Sequence, residues 1–101
     1  MVYIITKAYN GNDGSYGEEV LGYLLSEQEA KNYLKSLKKD SPEINEDNGN
    51  IVDFKFNDYD YTLENLYGEI RKGHMCNVTY TECTRYENYD YEISYKKIEH
   101  L

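Results

Sequence analysis

Hydrophobic alternation at both ends of the chain predicts β-strands, and this pattern constrains the fold more than any other feature. Residues 2–9 alternate with period 2 and are rich in β-branched side chains. A turn-forming run at 10–15 separates them from a second predicted strand at 18–25, so these two strands are expected to form a hairpin. Near the other end, residues 74–86 and 89–99 also have the composition of strands.

A helix is predicted directly after the first hairpin, over residues 26–39. Residues 26–29 fit the capping box, in which Ser26 accepts a backbone N–H and Glu29 reaches back to the cap. An apolar stripe at helical spacing follows, formed by Ala30, Tyr33, Leu34 and Leu37. Lysines in the last turns complement the helix dipole.

The middle of the chain predicts a loop, a third strand and a second helix. Pro42 prevents the first helix from continuing, and residues 51–56 alternate as a strand does. Residues 58–61 are predicted to be a turn or a short extension of that strand. The second helix would begin at the cap Thr62 and end at Gly73. It is predicted from the helical spacing of four apolar residues, Leu63, Leu66, Tyr67 and Ile70.

These elements predict an α+β fold with the order β-β-α-β-α-β-β. The strands would form a single, mainly antiparallel sheet, and both helices would pack on one face of it. A length of 101 residues is expected to form a single domain, residues 1–101. With 13 tyrosines in the chain, the other face is expected to be rich in tyrosine and partly wet.

The acidic residues are concentrated in one segment. Residues 40–70 hold nine carboxylates and one base, which accounts for the net charge of -8, because the other ten acids and ten bases cancel. Such a segment attracts basic surfaces. Its spaced carboxylates can pair with the Lys and Arg side chains that normally bind the phosphates of a nucleic acid. Aromatic residues in the segment favour an interface. The predicted protein-binding residues are Glu43, Glu46, Asp47, Asp53, Asp58, Asp60 and Glu64, with Tyr59, Tyr61 and Tyr67.

The acidic residues and the cysteines also have interpretations other than protein binding. The segment could be a solvated loop that only aids solubility. Neither Gly14 nor Gly49 has the ligand pattern of an EF-hand around it, and a calcium site of another type stays open. His74, Cys76, Cys83 and His100 lack the spacing of a zinc site, and on one strand the two cysteines would face opposite sides. No metal and no cofactor are therefore predicted.

Catalysis and membrane insertion are not predicted either. Only His74 and His100 could act as a histidine base, and the glycine-rich run at 10–17 joins two strands, unlike a phosphate-binding loop. We therefore predict that the protein is not an enzyme. The N-terminus lacks the pattern of a signal peptide, and no stretch approaches the length of a membrane span, so a cytoplasmic protein is expected.

The first forty residues resemble small phage and prophage proteins of unknown function. The resemblance lies in a strand VYIIT at 2–6, the sequence GYLLS at 22–26 and a helix start SEQEAKNYL at 26–34. A closing tyrosine-rich strand, here 89–99, is also usual in that class. The resemblance implies a phage-encoded accessory protein located in the cytoplasm of a bacterial host, a setting where small acidic proteins often inhibit host enzymes.

The leading hypothesis is a small acidic inhibitor that binds a host protein and blocks its basic nucleic-acid-binding surface with residues 40–70. Such a protein would act against host defence, and an anti-CRISPR protein is one candidate. Its expected partner is a nucleic-acid enzyme with a basic surface; direct contact with nucleic acid or membrane is not expected, and a homodimer is left open. The alternatives are a module that binds a small ligand or a nucleotide signal, and a structural accessory protein with a solvated acidic loop.

Overall fold

Five strands and one helix make up the structure, a computed structural model that describes residues 1–45 and 49–99. In chain order the elements are β1 (Val2–Gly11), β2 (Tyr16–Leu24), α1 (Glu27–Ser36), β3 (Asn50–Glu64), β4 (Ile70–Cys83) and β5 (Asn88–Ile98). The strands form one antiparallel sheet in the order β2-β1-β5-β4-β3. The first and last strands are therefore adjacent in the middle of the sheet, and β2 and β3 are its edges.

The helix α1 carries the chain from one edge of the sheet to the other. It begins where the sequence predicts, because the Ser26 hydroxyl accepts a hydrogen bond from the Glu29 N–H at 3.1 Å. Ala30, Leu34 and Leu37 of the predicted stripe are buried. The helix ends at Ser36, three residues earlier than expected. No helix within 1–45 or 49–99 has the length and apolar character needed to cross a bilayer.

The core lies between α1 and one face of the sheet. Ile5 of β1, Val78 of β4 and Ile93 of β5 are buried with the helix residues Ala30 and Leu34. The tyrosines of the central strands are on this same side: Tyr3 and Tyr80 are buried, and Tyr91 and Tyr95 pack against the core. The expected concentration of tyrosine on the uncovered face is therefore wrong for the central strands.

Threonine and asparagine occupy the centre of the uncovered face instead. The register aligns Thr6, Ser94, Asn77 and Asn57 across four strands. The Asn57 Nδ2 donates to the Asn77 Oδ1 at 2.8 Å, and the Asn77 Nδ2 donates to the Glu92 Oε2 at 2.6 Å. A row of polar side chains suits a face that α1 does not cover.

The α+β prediction with two helices and the order β-β-α-β-α-β-β is wrong. The structure is mostly β, with the order β-β-α-β-β-β and one short helix. Where the second helix was expected, β3 continues to Glu64 and β4 begins at Ile70. The Asn65 side chain fixes the turn between them, since its Oδ1 accepts from the N–H groups of Tyr67 and Glu69 at 2.9 and 3.0 Å. Gly68 adopts a φ of 79°, which few other residues tolerate.

Part of the β3–β4 hairpin extends beyond the rest of the sheet. Strand β5 pairs with β4 only from Asn77 onward, so residues 58–64 and 70–76 pair solely with each other in the described structure. We call residues 58–76 the arm. The radius of gyration is 15.3 Å, whereas a compact chain of this length has about 13 Å. The arm therefore projects from the body as a two-stranded ribbon.

Candidate protein-binding surface

The arm has one charged face and one largely apolar face, because side chains alternate along each strand. Cross-strand pairs on the charged face are Asp58 with Cys76, Asp60 with His74, Thr62 with Lys72, and Glu64 with Ile70. On the other face Tyr59 is opposite Met75, Tyr61 is opposite Gly73, and Leu63 is opposite Arg71. The first face carries most of the charged side chains and the second most of the apolar ones, with Ile70 and Arg71 as exceptions near the tip.

His74 bridges two carboxylates on the charged face. Its Nδ1 lies 2.6 Å from the Asp60 Oδ1, and its Nε2 contacts the Asp58 Oδ1. Both ring nitrogens can donate only when the imidazole is protonated. Hydrogen bonds from the ring to the carboxylates of Asp60 and Asp58 accordingly raise the pKa of His74 above its usual 6.5. When the ring is protonated, it bridges two like charges that would otherwise repel each other.

This bridge predicts a pH dependence of stability. The pKa of His74 is higher in the folded protein than in the unfolded chain, so the stabilisation is fully present below the unfolded value and is lost as pH rises through the folded value. The difference in the free energy of unfolding between wild type and His74→Gln should therefore shrink as the pH rises above 6.5, measured by urea denaturation at a series of pH values. Parallel stability curves for the two proteins would show that the bridge contributes nothing.

The apolar face and the tip of the arm expose large side chains. Tyr59 and Leu63 are more than half exposed, and the Tyr61 ring covers Gly73 so closely that a Cβ there would clash with it. At the tip, Leu66 is 100% exposed and Tyr67 is 88% exposed. Exposed apolar side chains clustered on a projecting element mark an interaction site better than scattered ones do.

Two bases of β4 lie opposite residues of β3 in the arm. Arg71 and Lys72 lie just beyond the acidic segment in sequence, but the register places them opposite Leu63 and Thr62. The arm is therefore less uniformly negative than the linear count for residues 40–70 suggests. It carries a mixed surface with an excess of carboxylates.

The arm brings together six of the ten predicted protein-binding residues: Asp58, Asp60, Glu64, Tyr59, Tyr61 and Tyr67. Asp53 lies nearer the body, at an irregularity of β3 where it adopts a φ of 55°. Glu43 lies in the loop after α1, and its carbonyl oxygen accepts a hydrogen bond from the Lys7 Nζ at 2.8 Å. Glu46 and Asp47 lie outside the described residues.

Two sets of exposed residues were missing from the sequence prediction. Leu63, Leu66 and Ile70 were assigned to the buried stripe of a helix, yet they are exposed on the arm. Glu18, Asp90 and Glu92 belong to the charge-balanced part of the sequence, yet they line one groove together with Asp53. The alternation of Asp90 and Glu92 on the last strand was the only signal that the sequence offered for this groove.

Metal ligands do not converge in the described structure. Within residues 1–45 and 49–99, no group of three or more His, Cys, Asp or Glu side chains is arranged to hold a metal ion. Cys76 and Cys83 are free thiols seven residues apart on β4.

Addition of calcium or zinc is expected to leave the melting temperature unchanged. An ion that bound only the native state would raise the melting temperature, and the described residues hold no ligand group for such an ion. A rise of several degrees that a chelator reverses would contradict this prediction.

Comparison with known protein families, with curated proteins and with solved structures found no match to this chain. The resemblance to phage proteins therefore stays a prediction.

Proposed function

We propose that the protein is a small inhibitor that binds a partner protein through its arm and blocks a basic nucleic-acid-binding surface. The observation that carries this proposal is the arm itself, a two-stranded ribbon with exposed faces that projects from the sheet. An isolated two-stranded hairpin is only marginally stable in water. Stability of the fold therefore does not explain why the arm is long and exposes apolar residues. Contact with a partner would bury them.

The chemistry of the arm suits a basic surface with apolar neighbours. Asp60 is 90% exposed and Glu64 is also exposed, so both can face Lys or Arg side chains. Leu66 and Tyr67 at the tip can serve as the desolvated anchors from which interfaces gain most of their affinity. We propose that the carboxylates steer the encounter and that the tip provides the lasting contact. The partner class is a nucleic-acid enzyme of a bacterial host.

The test of this proposal removes charge from the arm but keeps side chains of the same size, whose amide oxygens can still accept a hydrogen bond from His74. Asp58→Asn, Asp60→Asn and Glu64→Gln, made together, should slow association with the partner more than they speed dissociation, because peripheral charges mainly steer encounters. Wild-type binding should weaken steeply from about 50 to about 300 mM salt, and nucleic acid should compete with it. Surface plasmon resonance on the captured partner measures both rates.

A charge-matched control separates the arm from the overall negative charge. Glu27, Glu29 and Asp40 are exposed and lie on or just after α1. Glu27→Gln, Glu29→Gln and Asp40→Asn, made together, remove three negative charges, as the arm variant does. This control should leave the association rate close to that of wild type. Equal slowing in both triple variants, or an affinity that ignores salt, would rule out a specific role for the arm carboxylates.

A further inference from the structure

A groove of about 430 Å³ lies on the face of the sheet that α1 does not cover. The register places its side chains in two adjacent rows that run across the strands. One row aligns Glu18, Ala8, Glu92 and Thr79, and the next aligns Tyr16, Asn10, Asp90 and Thr81. Residues directly opposite each other in an antiparallel sheet point to the same face, so these side chains form one continuous surface.

Carboxylates give this surface its charge. Glu18, Asp53, Asp90 and Glu92 line the groove, and no lysine or arginine is among the described residues that line it. Asp90 and Glu92 accept hydrogen bonds from neutral donors, the Thr81 Oγ1 at 2.7 Å and the Asn77 Nδ2 at 2.6 Å. These bonds orient the two carboxylates without neutralising them. Two cations lie at the ends of this surface: the Lys96 Nζ is 3.6 Å from the Glu18 Oε1, and Lys55 of β3 lies opposite Thr79.

We propose that this groove binds an extended segment of a partner protein that carries Lys or Arg at alternate positions. Asp90 and Glu92 are two residues apart on β5, so their side chains lie about 7 Å apart along the strand. An extended peptide repeats its side chains on one side at this same spacing. A peptide that runs along β5 can therefore place successive basic side chains against Asp90 and Glu92. The charge of the groove selects a basic segment and excludes an acidic one.

The shape of the groove supports a peptide as the occupant. Ala8 lies between Glu18 and Glu92 and leaves the floor open, because its side chain is a single methyl group. Tyr16 at the edge is 80% exposed, so its ring can contact a cationic side chain by a cation–π interaction. The combination is an uncovered sheet face with a small residue in its floor, carboxylates at peptide spacing and an aromatic side wall.

The groove is separate from the arm, so this inference goes beyond the proposed function. Asp58 pairs with Cys76 and Asp60 pairs with His74, three and five residues from Thr79 on β4, so both carboxylates point to the face of the sheet opposite the groove. The substitutions Asp58→Asn and Asp60→Asn on the arm should therefore have no effect on peptide binding at the groove. Failure of either proposal leaves the other standing.

The experiment uses two fluorescein-labelled heptapeptides of four threonines and three arginines, with the arginines alternating in one and contiguous in the other. Fluorescence anisotropy at about 50 mM salt, where surface charges are least screened, gives both dissociation constants. We expect the alternating peptide to bind at least about fivefold more tightly, since only its arginines match the carboxylate spacing. Addition of its unlabelled form to isotopically labelled protein should shift the amide signals of Ala8 and Thr79.

Two variants locate the site. Asp90→Asn with Glu92→Gln keeps the acceptor oxygens for Thr81 and Asn77 and should raise the dissociation constant about tenfold. Ala8→Leu keeps the charge but fills the floor, and it should weaken binding to a similar degree. Glu29→Gln with Asp40→Asn removes the same charge on or just after α1 and should leave binding unchanged. Circular dichroism confirms that each variant folds.

Four results would overturn the proposal: equal affinity for the two peptides, equal weakening in the Glu29 and Asp40 control, full binding by Ala8→Leu, or spermine binding at the groove as tightly as the alternating peptide. The first two would indicate unspecific charge attraction, the third another location and the fourth a small polycation as the occupant. Tighter binding of the alternating peptide, lost in both groove variants and kept in the control, supports it.

Discussion

Replacing Leu34 with alanine is expected to lower the free energy of unfolding by about 2–5 kcal/mol. Leu34 has no exposed surface, and it belongs to the same core as Ile5, Val78 and Ile93. The substitution removes apolar contacts and leaves a cavity that the sheet cannot fill, because its strands are fixed by their pairing. Urea denaturation followed by circular dichroism measures the loss.

The control for this prediction removes the same atoms from the surface. Leu66 at the arm tip is 100% exposed, so Leu66→Ala should change the free energy of unfolding by less than about 0.5 kcal/mol. A Leu34→Ala protein that is as stable as the Leu66→Ala protein would show that α1 does not pack on the sheet as described.

Replacing both Leu66 and Tyr67 with serine is expected to weaken binding to the partner about 30-fold or more, which corresponds to the loss of an interface hot spot. Both side chains are almost fully exposed in the isolated protein, so the melting temperature should stay unchanged. The loss should appear mainly as faster dissociation, because short-range apolar contacts hold the complex after the encounter. Surface plasmon resonance separates the two rates.

A matched control uses exposed apolar residues of the other edge strand. Val20 and Tyr23 are each 65% exposed on β2, at the opposite edge of the sheet from β3, and neither lines the groove. Serine at both positions removes a comparable apolar surface and should leave partner binding unchanged. If this control weakens binding as much as the tip variant does, the partner does not depend on the arm tip in particular.

The strands at both ends of the chain and the helix after the first hairpin could be predicted because their signals are local. Alternation of residues 2–9 and the cap at Ser26 each act within a few residues, and the structure confirms both. The prediction failed between residues 58 and 73. There, Leu63, Leu66, Tyr67 and Ile70 fit a helical stripe, while residues 58–64 alternate between polar and apolar as a strand does. The turn held by Asn65 and Gly68 decided between the two patterns.

The surfaces depend on pairing that a single sequence does not reveal. The carboxylates of the groove come from β2, β3 and β5, and only the register of the sheet brings them together. The same holds for Arg71 and Lys72, which follow the acidic segment in sequence and lie opposite its residues Leu63 and Thr62 across the arm. Charge counted along the chain therefore gave an incomplete description of charge on the surface.

The most direct test of the central claim is capture of a partner with and without the arm. Asp58 pairs with Cys76, so residues 59–75 can be replaced by Asn-Gly, a two-residue hairpin turn, without changing the register of the body. Wild type should capture from bacterial lysate a nucleic-acid-binding protein that added nucleic acid releases, and the armless variant should fold and capture none of it. Capture of the same protein by the armless variant, with the same release by nucleic acid, would contradict the account.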